Sequence, residues 1–390
     1  MDTTKRRYDL DWLRVLAILL VFVYHTTRFF NLSDWHIKNA ETSMLVEVGT
    51  TLFDAWGMPF LFLISGASLV FQVRPGRGGR LVWDRVKRLL VPLALGTLFL
   101  APPQEYAEAV AHGRFQGSLL DFLPQAVGGW FSGLNFLRLG VHLWYLEALF
   151  LYTVALLPLF YALASPAGRR AVAGLAARST RPGAIFLWAL PAALVLMALD
   201  PLGVLIGEGG YLRVLAVYPL FVVYGFLIFS DRDLQLAIIR QRRAGLIATV
   251  VMGAALVALA VLIGEPGGIA AYVVAMCVVA LYGWCAMVTV LGYGMRYLTG
   301  GSPLLTYANE GVLPFYVLHQ PVILLIGYYV IPLSLPPAAK WLIIAPLAFA
   351  VIVAAYEYGV RRLGVLRVAF GLKPLKPAVP VAPARTELVT

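Results

Sequence analysis

Residues 10–30, LDWLRVLAILLVFVYHTTRFF, are apolar enough to cross a bilayer, yet they carry Asp11, Arg14 and His25. A charged side chain in mid-bilayer costs about 2.5–3.5 kcal/mol on insertion scales, so such residues face a protein interior or a wet cavity and mark function. On a helix, the step from Arg14 to His25 is about 1100°, roughly 20° from three whole turns, so the two share a face. Asp11 falls within about 40° of the same line. At about 1.5 Å per residue, His25 stands roughly 16 Å further along the axis than Arg14. A buried imidazole so placed is a candidate general base. The competing reading has Arg14 snorkelling to the headgroups and His25 hydrogen-bonded between helices.

Further along, VHLWYLEALFLY places Glu147 inside an apolar run at a depth that matches His25. A carboxylate there would hold the imidazole's tautomer and favour its protonated form. A structural ion pair elsewhere fits Glu147 equally. His319, in YANEGVLPFYVLHQPV, lies near mid-span between Pro314 and Pro321, which can open backbone hydrogen bonds at a kink lining the same cavity. Simple packing of His319 is the alternative. Arg85 and Arg88, three apart, share a helix face, and paired guanidinium forks suit phosphate oxygens; a basic loop on the cytoplasmic side would also place them there. Ser65 and Gly66 are read as small residues for close helix packing.

These residues need helices to hold them, and composition says which kind. The chain has 390 residues, 61% hydrophobic and 13% charged, with a mean hydropathy of +0.81, against about 25% charged in soluble domains. The reading is an all-α polytopic membrane bundle. The net charge of +11 does not signal a nucleic-acid partner, because the basic residues lie between apolar runs rather than on one soluble face. Cys277 and Cys285 share one apolar run and read as packing residues. His25, His36, His112, His142 and His319 form no metal spacing, and Walker, dinucleotide and zinc-protease motifs are missing.

Apolar windows predict about ten spans, at 10–30, 52–73, 87–103, 142–164, 183–200, 211–230, 244–264, 269–293, 311–332 and 339–360. Those at 87–103 and 183–200 are the weakest. Most Lys and Arg fall in alternate loops and at both ends, which puts both termini in the cytoplasm. The first span lacks a small-residue cleavage site and is expected to be retained. Residues 1–370 form the membrane domain, and the Pro-rich 371–390 is expected to be a disordered tail.

The motifs LDWLRVLAILLVFVYH, FLISGASL, the Arg85–Arg88 pair, HLWYLEALFLY and VLHQPV, in that order, resemble acyltransferase family 3, and within it the branch that succinylates periplasmic glucans. The resemblance covers about residues 8–360. It implies a ten-span inner-membrane acyltransferase moving an acyl group from a cytoplasmic acyl-CoA, acetyl-CoA or succinyl-CoA foremost, to a hydroxyl of a carbohydrate acceptor, with no metal. It makes His25 the catalytic histidine and Arg14 its paired basic residue, with Arg85 and Arg88 facing the donor's phosphates. Glu147 is placed with His25 in catalysis, and Asp11, His319 and Trp144 among the substrate-binding residues. The extracytoplasmic hydrolase-like domain of some relatives is not seen, so a second acceptor-handling step would fall to loops or another protein. From another class, a secondary transporter or exporter would use Asp11, Arg14, Glu147 and His319 to relay protons or bind solute. No repeat between the chain's halves supports that reading.

Overall fold

The computed structural model describes residues 6–130, 141–206, 215–262 and 268–375, and among these the regular elements are all helices, without strands. Helix α1, Tyr8–Thr27, shows how the chain sorts its faces. Leu10, Leu13, Ala17, Ile18 and Val21 recur every three or four positions and are buried, whereas Leu16, Leu20 and Val23 on the other side are exposed. In a membrane chain, the exposed stripe is the lipid face.

Helices α2, Met44–Asp54, and α3, Gly57–Leu69, together make one 26-residue apolar span. Next come α4, Gly78–Arg85, a π-helical turn over Val86–Leu90, α5, Val91–Phe99, and α6, Ala101–Ala111. Pro92, Pro102 and Pro103 remove backbone donors here, and the chain bends by 40° between α5 and α6. Helix α7 covers Leu119–Trp130. A second bend, of 52°, separates α8, Trp144–Ala155, from α9, Leu157–Ala164, at Pro158. Ser165 caps α10, Pro166–Ser179, by accepting from the Gly168 amide at 3.1 Å.

The second half holds α11, Ala189–Ile206, α12, Tyr218–Ser230, α13, Arg232–Leu262, α14, Ile269–Tyr297, and α15, Pro303–Val330. Helix α16, Pro337–Ala354, runs into a π-helical turn at Ala355–Val360, followed by α17, Gly364–Ala369.

Among the described residues, six helices are long and apolar enough to cross a membrane, or eight if each bent pair is one span. That is fewer than the about ten full spans expected from the apolar windows. Windows 87–103 and 142–164 coincide with the proline-bent pairs, and windows 183–200 and 211–230 hold the shorter apolar helices Ala184–Leu199 and Tyr218–Ser230. Residues 211–214 and 263–264 of the predicted windows, and 376–390 of the predicted tail, lie outside the described residues.

Helix α1 is enclosed by α3, α14, α15 and α16. Helices α3 and α12 meet backbone to backbone: a Cβ on Gly66 would lie 2.0 Å from the Val222 carbonyl oxygen, and one on Gly225 would lie 1.9 Å from that of Leu63. By contrast, only 11% of the apolar window of α13 is buried, so this helix lines the outside of the bundle.

Candidate active site

At the N-terminal end of α1 a cavity of about 480 Å³ opens among α1, α3, the π turn, α8 and α15. Its wall is dominated by guanidinium groups. Arg14, on the interior face of α1, donates through Nη2 to Ser68 Oγ at 2.6 Å and through Nη1 to Asn309 Oδ1 at 3.2 Å, with Asp11 at 3.6 Å. Arg6 also pairs with Asp11, at 2.7 Å, and Arg7 is forked onto Asp9. Arg85 ends α4 and Arg88 stands on the π turn, and both line the same cavity. Arg85 reaches Gln72 Oε1 at 3.0 Å, while its buried Nε has no partner. Neither Arg85 nor Arg88 has a carboxylate partner among the described residues. The cavity therefore carries more positive charge than its own acids balance.

The inner end of the cavity is made of hydroxyl groups. Tyr145 and Ser65 share a hydrogen bond of 2.7 Å, and Tyr145 also reaches the Leu61 carbonyl at 3.3 Å. Tyr316 lines the cavity beside Tyr145, their rings 5.7 Å apart. Behind Tyr316 the rings continue to His319 at 5.5 Å and from His319 to His25 at 4.8 Å. His25 itself is not in the cavity wall; a layer of rings connects the two.

The hydrogen bonds around His25 assign its tautomer. Nδ1 lies 2.8 Å from the Val21 carbonyl and 3.3 Å from His319 Nε2. A carbonyl only accepts, so Nδ1 carries the proton and Nε2 keeps a free lone pair. His319 directs Nδ1 at the Tyr316 carbonyl, which leaves its own Nε2 as the acceptor facing His25. His142 donates Nε2–H to the Val317 carbonyl at 3.0 Å. Each of the three imidazoles is thus fixed by backbone, and two lone-pair nitrogens, His25 Nε2 and the buried His142 Nδ1, have no hydrogen bond among the described residues.

A family model described as the acyltransferase domain, acyltransferase 3, matches residues 7–357, nearly the whole of this arrangement. The chain belongs to the acyltransferase 3 family. Among similar proteins are the glucans biosynthesis protein C of Escherichia coli strains SMS-3-5, ED1a and K12, each 24% identical over 402 aligned residues covering 98% of both chains. No solved structure matches. The protein is an acyltransferase, and its apolar helices are those of a multi-pass membrane protein.

Within this acyltransferase 3 chain, the sequence-derived candidates divide into three groups. Asp11, Arg14, Arg85 and Arg88 come together in the cavity. His25 and His319 meet at the other end of the ring layer. Glu147 and Trp144 join neither group. The expected His25–Glu147 contact is absent: His25 is held by Val21 and His319, and Glu147 Oε2 is buried without a partner. It is His142, five residues earlier, that joins the histidine group, its ring 5.2 Å from that of His319, whereas Tyr145, Leu146 and Leu149 around Glu147 line the arginine cavity. Trp144 stacks on Tyr218 at 5.8 Å in a packed group with Phe62.

Sequence reasoning missed Ser68, Gln72, Asn309, Tyr145, Tyr316 and His142. A tyrosine or serine inside an apolar run looks like ordinary packing, and nothing in spacing singles these out. Gly66 packs as its size suggested, whereas Ser65 serves Tyr145. Among the described residues, no group of three or more His, Cys, Asp or Glu is arranged to hold a metal ion.

Proposed function

We propose that this acyltransferase moves an acyl group from a coenzyme A thioester, acetyl-CoA or succinyl-CoA, to a hydroxyl of a glucan-like carbohydrate, with His25 as general base. The observation that carries the reading is the pairing, on one helix, of an anion-seeking cavity around Arg14 with a tautomer-fixed imidazole bearing a free lone pair. Guanidinium groups without carboxylate partners suit a polyphosphate, since charge-assisted bonds to phosphate are the strong ones. The N-terminus and the Arg85–Arg88 loop are basic, which by the positive-inside rule faces this cavity to the cytoplasm, where coenzyme A is found. The rise from Arg14 to His25, roughly 16 Å, is comparable to the length of a pantetheine arm. Such an arm would pass the Tyr145–Ser65 hydroxyls on its way to the histidines.

In the reaction, the acceptor hydroxyl approaches His25 Nε2. Nε2 takes its proton as the oxygen attacks the thioester carbonyl carbon. The new C–O bond forms, the C–S bond breaks, and the departing thiolate takes the proton from His25 to leave as the free thiol. During the step the Nδ1–H bond to the Val21 carbonyl stabilises the imidazolium. The related glucans biosynthesis proteins point to a glucan as the acceptor class.

The test is thiol release and ester formation by purified protein with acetyl-CoA or succinyl-CoA and a glucose oligosaccharide. Positioned general bases contribute about 10²–10⁴-fold, so His25→Ala should lose that much in kcat. Transfer at the parental rate by a His25→Ala protein with a parental melting profile would refute the assignment.

A further inference from the structure

Beyond α1, residues 28–43 form a compact loop whose contacts the reaction scheme leaves unexplained. Lys38 gathers it from within, donating to the carbonyls of Arg28, Asn31 and Ser33 and to Asn31 Oδ1. Lys340, 6% exposed, enters from α16 and donates to Asn39 Oδ1 at 2.7 Å and to the Ile331 carbonyl at 2.6 Å. On the other flank His36 is held between Glu108 at Nδ1 and Gln320 at Nε2, 3.1 Å, and Glu108 is itself paired with Arg114 at 2.6 Å. The loop is therefore fixed to α6, α15 and α16.

What this fixing positions is Trp35. Its indole stands edge-on to Phe29 at 4.7 Å and 6.2 Å from the His25 ring. The same loop then continues into the wall of a separate cavity of about 890 Å³, bounded by Ile37–Ala40, the end of α6 and the end of α15, where Tyr328 and Tyr329 stand. Tyr329 is 68% exposed.

The chemistry of this second cavity is unlike that of the first. It has no guanidinium in its wall, and its two ammonium groups are directed at neutral oxygens that hold the loop. Aromatic rings with an apolar face and a polar edge stand among amide and backbone oxygens. That combination suits a neutral, hydroxyl-rich chain whose sugar faces lie on aromatic rings; a phosphate would find no free cation.

We infer that the cavity bounded by Lys38, Tyr328, Tyr329 and Lys340 binds an uncharged carbohydrate acceptor, and that Trp35 guides one of its hydroxyls to His25. This rests on the acyl-transfer reading above. Trp35 is here a positioning residue, and the His36–Glu108 pair keeps it in place.

The experiment measures steady-state transfer to a neutral β-linked glucose oligosaccharide by the full-length protein in nanodiscs, varying acceptor and donor separately. Trp35→Ala and Tyr329→Ala should each raise the oligosaccharide KM about tenfold, a loss of modest contact energy, with the donor KM unmoved. Trp35→Phe and Tyr329→Phe should recover most of the loss, which a generally damaged fold would not. If Trp35→Ala fails to fold, the exposed Tyr329 carries the test. An unchanged oligosaccharide KM in the folded alanine variants overturns the inference, as does competition by anionic lipid headgroups in place of free oligosaccharide. Failure of the reaction scheme reads out differently: His25→Gln would still transfer acyl groups while the Tyr329 effect on sugar KM persisted.

Discussion

Arg14 is the residue whose chemistry is least replaceable by its nearest analogue. It uses two Nη atoms to bridge Ser68 of α3 and Asn309 of α15 while facing the cavity, a fork that a lysine ammonium cannot reproduce. Arg14→Lys should therefore raise the donor KM about tenfold despite keeping the charge, read from donor titrations. Arg85→Gln combined with Arg88→Gln should raise the donor KM further and flatten its dependence on salt, because fewer fixed cations remain to be screened. An unaltered salt dependence would remove phosphate recognition from these two. Helix arithmetic made Arg14, His25, Arg85 and Arg88 legible, since a charged residue in an apolar run is conspicuous and its phase is calculable. Glu147 was equally conspicuous and was misplaced relative to His25, because a span boundary read from hydropathy is uncertain by several residues and does not say which way a side chain faces. The agent that holds the His25 tautomer, the Val21 carbonyl, has no side-chain signature at all.

Among the elements, α3 and α12 show the tightest constraint. Each presents a glycine to the other's backbone, and the Cβ of an alanine at Gly66 or Gly225 would fall about 2 Å from a carbonyl oxygen. Such contacts cannot be relieved by a rotamer change, so the helices must separate. Overpacking of this kind costs about 1–3 kcal/mol, and either Gly→Ala variant should melt at lower temperature in a thermal-shift measurement. Ser65 and Ser68 on α3 line the arginine cavity, so under the proposed donor site the donor KM should rise as α3 is displaced. Arg88 stands on the π turn at Val86–Leu90 and lines the cavity together with Arg85. The long helices could be read from apolar runs. The bends at α5–α6 and α8–α9 could not, because prolines at 92, 102, 103 and 158 fit both a continuous and a broken span.

For the molecule as a whole, the two cavities lie at opposite ends of α1, a helix of 20 residues and so about 30 Å long. If the arginine end faces the cytoplasm, as proposed, the reaction draws donor and acceptor from different compartments. A single cysteine at Ser33 should react with an impermeant maleimide added outside spheroplasts, and one at Lys87 should react only after permeabilisation. This requires a background with Cys277 and Cys285 replaced. Labelling of both from the same side would cancel the two-sided arrangement. The exposed apolar flank of α13, with Ile247 and Val250 both 65% exposed, fits the lipid boundary of such a bundle.

Because α1 runs unbroken from Arg14, the proposed donor anchor, to His25, the proposed base, it acts as a caliper with fixed jaws. Neighbouring helices can exchange side chains without resetting it, but a single alanine inserted between Ile18 and Leu19 would turn the imidazole about 100° away from the arginine. Such an insertion barely changes composition or hydropathy; what it changes is the spacing between Arg14 and His25. It should nevertheless yield a membrane-inserted protein with no measurable transfer, whereas deletions elsewhere in exposed loops are tolerated.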